Sequence, residues 1–493
     1  MTPPPALLSN SYAQLPAHFY ARLPPTAVAA PRLIRFNNAL AEELNLPLTH
    51  LSDEELARLF AGNQALPGAE PMAMAYAGHQ FGHFVPQLGD GRAILLGEVV
   101  DRNGLRRDLQ LKGSGRTPYS RNGDGRAALG PVLREYIVSE AMQALGVPTT
   151  RALAAVLTGE RIYREQPVAG AVLTRVAASH VRVGTYEYFA ARDDQEAIRR
   201  LADYVIERHY PAARDSPRPF LALLEAVIAR QASLVARWLQ IGFIHGVMNT
   251  DNMAVSGETI DFGPCAFMES YDPATVFSSI DRAGRYAYAN QQHAAHWNLA
   301  RFAETLLPLI DSNPGKALEL AGALISDYPA RFAEYWLEGM RRKLGLFAPE
   351  AADPELVQGW LDAMQSGQAD FTLAFRRLSA RAANPAADAD VRALFRDPGA
   401  YDAWVPSWQA RMDREGHEPA VRAAAMRQVN PAFIPRNHRV EQAIEAAVKQ
   451  EDFTVFGDLL AVLARPYDDQ PEYADYARPA APDERVTQTF CGT

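Results

Sequence analysis

Two side chains with hard oxygen donors, Asn252 and Asp261, lie nine residues apart and carry the sharpest chemical signal in this 493-residue chain. Amide and carboxylate oxygens suit Mg2+ or Mn2+. Asp261 opens an Asp-Phe-Gly run, and His245 precedes Asn252 by seven positions, the spacing of the kinase loop His-Arg-Asp-x-x-x-x-Asn. The Arg and Asp of that loop are replaced here by Gly246 and Val247. Valine neither accepts a proton nor orients a hydroxyl. Asp251, the nearby carboxylate on the same loop, is therefore the candidate base.

Phosphoryl or nucleotidyl transfer also needs backbone amides over the phosphates and a cation upon them. Gly89-Asp90-Gly91-Arg92 precedes a strand pattern and offers such amides, since glycine lets a backbone approach phosphate closely; a plain hairpin turn reads the same way. Lysine is scarce: Lys112, Lys316, Lys343 and Lys449 are the four among 49 basic residues. The last three fall in polar-faced helical patterns and call for no special role. Lys112 ends a strand pattern before Gly-Ser-Gly-Arg, where a compact point charge suits phosphate and a surface lysine is the plain alternative. Glu135 follows in PVLREYIVSEAM, near the border of the packed side marked by Val132, Leu133, Tyr136, Ile137 and Met142. From there it reaches back to Lys112, as helix glutamate and strand lysine do in kinases, or it contacts Ser139 on its own helix.

The elements that must position these groups come in two blocks. Residues 1–70 are rich in Pro and Ala, with a helical pattern near 32–44 and a capped helix start at Ser52-Asp53-Glu54-Glu55, and read as an extension wrapped on the main body. Residues 92–100 and 105–112 are strand patterns joined by the turn Asp101-Arg102-Asn103-Gly104. A glycine-rich loop at 113–125, a helix over 127–145 and strands at 152–157 and 168–176, with a Gly159-Glu160 turn between them, complete the first block. Helical periodicity then dominates, at 198–208, at 220–239 and from Gln291 onward. Between them, 241–267 is irregular, with a small hairpin expected from 253–255 and 259–260. The order predicts an α+β chain with a protein-kinase-like two-lobed fold. Its parts are an N-terminal extension (1–75), an N-lobe (76–178), a helical C-lobe (179–345) and a helical C-terminal extension (346–493).

Composition narrows the function classes. Forty-nine Lys and Arg against 58 Asp and Glu leave a net charge of −9, which argues against a generally basic nucleic-acid binder. With 48% hydrophobic residues the chain has material for a large core. No run approaches the ~18 apolar residues of a membrane span, and the N-terminal residues lack a secretory pattern, so a cytoplasmic protein is expected. Cys265 and Cys491 are the two cysteines, too few for a disulfide scaffold or a cysteine zinc site. His79 and His83 have helical i,i+4 spacing without a third ligand or the glutamate of a zinc protease, and read as structural; His293 and His296 read likewise.

Six segments together resemble the selenoprotein O family of kinase-like proteins: YAGHQFGHFVPQLGDGRAILLGE (76–98), LKGSGRTPYSRNGDGRAAL (111–129), the REY, SEAM and LGVPTTRAL runs within 134–153, HGVMNTDNM (245–253), TIDFGPCAF (259–267) and NPAFIPRNH (430–438). Members look like pseudokinases because the usual aspartate is missing, and Val247 agrees. The resemblance implies transfer of AMP from ATP, with Mg2+ or Mn2+, to Ser, Thr or Tyr hydroxyls of proteins, the chain itself included, by a monomer that binds ATP reversed relative to kinases. On the family's pattern Gly89, Gly91, Arg92, Lys112, Asp124, Gly125, Arg175, Arg182 and Asp261 match nucleotide-contact positions. Asn252 and Asp261 match the metal ligands, and Asp251 the proposed base. With ATP reversed, Arg175 and Arg182 would stabilise the leaving pyrophosphate; on their own they read as exposed arginines. The resemblance further implies that Cys491 can pair with Cys265 and restrain the enzyme; without it they are two unpaired thiols. Three other readings stay open: a kinase transferring the γ-phosphate, UMP transfer from UTP with Mn2+, and a nucleotide-binding scaffold without catalysis. Retention of Lys112, Asn252 and Asp261 argues against the scaffold.

Overall fold

The computed structural model describes residues 6–490, so Cys491 lies outside the described residues. Its strands are β1 (Tyr20–Arg22), β2 (Arg32–Phe36), β3 (Met72–Met74), β4 (Gly78–Gln80), β5 (His83–Val85), β6 (Ala93–Val100), β7 (Arg106–Lys112), β8 (Ala127–Ala128), β9 (Arg151–Tyr163), β10 (Pro167–Ala177), β11 (Phe243–Ile244) and β12 (Ala266–Phe267). The main sheet has the order β1-β3-β6-β7-β10-β9-β2, with β8 on β10. All its pairings are antiparallel.

β6 and β7 form the expected hairpin, closed where the amide of Asp101 donates to the Leu105 carbonyl at 2.8 Å. Register places Lys112 opposite Ala93 on one side and Leu173 on the other, so the lysine stands in the middle of the sheet and not at a frayed end. The N-terminal segment does more than wrap the body, since it supplies β1, β2 and β3 to this sheet. The helical expectation over 32–44 holds only for Asn38–Glu43, capped by the Asn37 side chain. Residues 32–36 instead pair with β9, because edge pairing outweighs a weak local helical period. The turn expected at Gly159-Glu160 is also displaced: β9 runs on to Tyr163. Gly159, at φ +71°, sits at an irregularity in the ladder where a Cβ would stand 2.6 Å from Ala30.

The helix Leu129–Ala144 is buried on nearly all sides. Leu133, Tyr136 and Ile137 share a core with Ala155 and Leu173 of the sheet and with Val440, Ala443, Phe456 and Leu459. The last four come from the C-terminal helices Asn437–Gln450 and Thr454–Leu463. Glu135 therefore lies in the interior and not at the border of a packed face.

The second block packs the long helices Pro219–Gln240, Gln291–Ile310 and Pro314–Lys343 around one large core. Pro219–Gln240 is long and apolar enough to cross a membrane by length and composition, and half of that stretch is buried inside the protein. The irregular patch carries no hairpin at 253–260. Ala254 bridges Arg182, Thr259 bridges Thr149, and the local pairing is β11 with β12. Lys343 also departs from expectation: it is buried, 4.2 Å from the Phe375 ring, and desolvation pulls its ammonium down to about 7.

Candidate active site

A cleft of about 970 Å³ lies where the loops around the sheet meet the irregular patch. Its walls bring together Gly89, Gly91, Arg92, Asp124, Gly125, Arg182, Asp251, Asn252 and Asp261. Lys112, Glu135 and Arg175 stand directly behind that wall as a buried charge cluster. Lys112 Nζ donates to Glu135 Oε2 at 2.5 Å and to Asp261 Oδ1 at 2.8 Å. Arg175 binds the other Glu135 oxygen through Nε at 2.8 Å, and its guanidinium lies 3.8 Å from Asp261. Two cations thus face two carboxylates with little solvent between them. Burial opposes ionisation of Glu135, yet Arg175 and Lys112 overcome it and hold the carboxyl below its ordinary range. Asp261 is held further below, against the same burial, by Lys112, Arg175 and Arg92.

The loop bearing Asp251 and Asn252 is fixed from two directions. His245, fully buried, meets the Ile260 carbonyl through Nε2 at 2.9 Å, and its Nδ1 accepts from the Val247 amide at 3.3 Å. One ring thus ties this loop to the segment that presents Asp261. Burial pulls its pKa down, which favours the neutral form that those two bonds require. The β4–β5 hairpin covers the loop from the other side. His79 Nδ1 lies 2.5 Å from Glu187, Thr250 Oγ1 donates to the same carboxylate at 2.5 Å, and the His79 amide donates to Thr250 Oγ1 at 2.6 Å. His79 is structural, as its sequence context suggests, but it sits in a hairpin and not on a helix.

Asp251 is 7% exposed. Among the described residues its Oδ1 has no hydrogen-bond partner, and it stands against Gly78, where a Cβ would come within 2.6 Å of it. Gln80 Nε2 is 3.5 Å from Oδ2. Burial pushes the carboxyl up to about 7 against the pull of Arg182. Asn252 spends its amide nitrogen on the Val247 carbonyl at 3.1 Å, which leaves the amide oxygen for another ligand.

Arg175 and Arg182, which read as exposed arginines on sequence alone, are 3% and 4% exposed. Arg182 stacks 4.4 Å from the Tyr76 ring centroid, donates to the Asp251 carbonyl at 3.0 Å and lies 3.8 Å from Asp90. On sequence alone Asp90 reads as part of a turn. It is buried, accepts from the Met74 amide at 3.0 Å and from Gln110 at 3.2 Å, and anchors the loop beneath the two glycines. Nothing local in Gly-Asp-Gly marks it, because its partners come from β3 and β7.

The glycines answer to the protein as well as to any ligand. Gly89 has φ +67°, and a Cβ there would stand 2.3 Å from the Tyr119 ring. Gly89→Ala is expected to destabilise the fold, since a left-handed non-glycine costs about 1–2 kcal/mol before the clash with Tyr119 is relieved. A thermal melt of the variant beside the native chain checks this. Asp124 lies at the rim, paired with Arg164 at 2.8 Å. Cys265 is buried, and burial pushes its thiol up to about 12.

A family model described as protein adenylyltransferase SelO matches residues 6–464. A protein nucleotidyltransferase YdiU of Rhizobium rhizogenes is 64% identical over 490 residues, covering 99% of this chain and 97% of its own length. The YdiU protein of Rhizobium meliloti is 64% identical over 484 residues, at 98% and 99% coverage. That of Rhodopseudomonas palustris is 62% identical over 484 residues, covering 98% of each chain. Matches of this extent make the chain an enzyme of the nucleotidyltransferase class. It belongs to the SelO family.

Proposed function

We propose that the cleft transfers AMP from ATP to Ser, Thr or Tyr hydroxyls of proteins, on a protein-kinase-like scaffold and with ATP reversed relative to kinases. The observation that carries the reading is Asp251, a buried carboxylate beside Asn252 with acceptor capacity left over, in a loop whose usual catalytic aspartate is Val247. The acceptor oxygen attacks the α-phosphorus, the bond from that phosphorus to the bridging oxygen of the β-phosphate breaks, and pyrophosphate leaves. Asp251 takes the hydroxyl proton. Lys112, oriented by Glu135, and the buried Arg175 and Arg182 stabilise charge gathering on the leaving group.

Asn252 and Asp261 fit a Mg2+ or Mn2+ ion. Both offer hard oxygens, Asp261 ionises readily, and the Asn252 oxygen is left over by its amide contact. Among the described residues no group of three His, Cys, Asp or Glu assembles, so a cation held here would take the rest of its shell from substrate phosphates or water. When bound, the ion would neutralise phosphate charge. Pairing of Cys265 with Cys491 as a restraint is supported by the tail's approach: Thr489 Oγ1 donates to the carbonyl of Pro264, the neighbour of Cys265, at 2.5 Å.

Asp251→Asn keeps the size and polarity of the side chain but cannot take a proton. Transfer is expected to fall about 10²- to 10⁴-fold, with ATP still bound. ATP labelled at the α-phosphorus should mark the protein in the native enzyme and not in this variant. Label arriving only from the γ-phosphorus would establish a kinase instead.

A further inference from the structure

The final stretch of the described chain turns back to the cleft. The Ala480 amide donates to Glu269 at 3.0 Å, and Arg478 pairs with Glu484 at 2.8 Å. Residues 485–488 then run exposed or half-buried until Thr489, which is 2% exposed. There the tail meets residues 277–279 through a single isolated parallel bridge, Ser278 opposite Thr489. The Thr489 amide donates to the Phe277 carbonyl at 2.7 Å, and the Ser279 amide donates to the Thr489 carbonyl at 3.0 Å. The Thr489 hydroxyl donates to Pro264, in the segment that begins at Asp261. Ser279, Ile280 and Phe490 line the same cleft as Asp251 and Asp261.

Three large apolar side chains stand in solvent around the mouth of that cleft: Tyr163 at 78%, Phe490 at 67% and Ile280 at 55% exposure. Phe490 belongs to the seated tail itself, whereas Tyr163 and Ile280 come from two other elements and stay when the tail leaves; exposed apolar groups of this kind mark a contact surface. The ledge beneath it offers one amide and one carbonyl to an extended chain, which is sequence-tolerant recognition, and one carbonyl acceptor, Pro264, to a hydroxyl side chain. Strand addition of this kind is a general way to hold a peptide. Thr489 is the only buried residue of the described stretch 485–490, so this stretch is seated at one short contact and is exchangeable.

We propose that residues 277–280 form the docking ledge for an extended, hydroxyl-bearing segment of the protein acceptor, held in this structure by the chain's own tail. The proposal rests on the reading of the cleft as a transferase site. It concerns backbone pairing and not the cysteines, so all measurements are made under reductant.

The test is fluorescence anisotropy with a labelled peptide of residues 484–490, added to the full-length enzyme and to full-length Thr489→Pro, in which the tail loses its amide and hydroxyl donors. The variant should bind the peptide about tenfold more tightly than the native chain, because an occupied ledge lowers apparent affinity by the fraction left free. A peptide with Val in place of Thr489 should bind about fivefold more weakly, the effect of one lost hydrogen bond. Dephosphorylated β-casein, an unfolded protein rich in hydroxyls, should displace the peptide, whereas an ATP analogue should not. Equal binding to both chains, or no loss with the Val peptide, would overturn the ledge. Peptide binding that casein does not displace would make it a tail contact only and overturn the acceptor role. Because no transfer step is read, an inactive cleft leaves these outcomes intact, and their failure leaves the transferase reading intact.

Discussion

Asp261→Asn is expected to lower nucleotidyl transfer about 10³-fold while the protein still folds. Asp261 adopts φ +68°, a conformation that Asn tolerates and most residues do not, so the substitution adds no backbone strain. The amide keeps the size of the side chain but loses the charge that faces Lys112 at 2.8 Å and Arg175 at 3.8 Å. It also becomes a poorer ligand for a divalent cation beside Asn252. Initial rates of transfer, measured with melting temperatures of both proteins, separate the lost chemistry from lost stability. Asp261→Ala would confuse the two, because alanine in the left-handed region is strained.

The second large effect is on stability. Glu135→Gln removes the carboxylate shared by Lys112 and Arg175, which are 11% and 3% exposed at their side chains. Among the described residues Asp261 would then be the one carboxylate still paired with both cations, with Gln110 as a neutral acceptor for Arg175 at 3.4 Å, and breaking a buried pair in this way costs about 3–5 kcal/mol. Transfer should be lost as well, since Lys112 loses its orientation. The pH dependence gives a check of sign. The folded pKa of Glu135 lies below its ordinary value, so its contribution is fully present above the unfolded pKa of roughly 4.3. That contribution fades as pH falls through the folded value. Urea midpoints of the native and Glu135→Gln proteins should therefore differ most near neutral pH and converge in acid. A constant difference across that range would place the stabilising role elsewhere.

Local spacing marks Asn252, Asp261 and Asp251, whereas Lys112 stands out by the scarcity of lysine and Glu135 only by its place in the order of the motifs, with a contact to Ser139 open to it as well. The structure brings all five to one place. The arginines were a different matter. Arg175 is buried because Glu135 meets it across 40 residues, and Arg182 because Tyr76 and Asp90 do. No window of sequence contains those pairings. Lys343 departs from its sequence context for the same reason: Phe371 and Phe375, the rings over which its ammonium lies, belong to the helix Phe371–Ala383. Strand 32–36 shows the converse, a weak local period overruled by pairing with β9. The β6–β7 hairpin was plain because its turn and both strands are contiguous.

Intact-mass spectrometry of the purified chain after incubation with ATP and Mg2+ or Mn2+, with Asp261→Asn alongside and both proteins reduced, tests the central claim most directly. A gain of one adenylyl group per modified site in the native chain, absent from the variant, is the predicted result. A gain of one phosphoryl group would contradict it, because the γ-phosphate and not the α-phosphate would then lie at the acceptor hydroxyl.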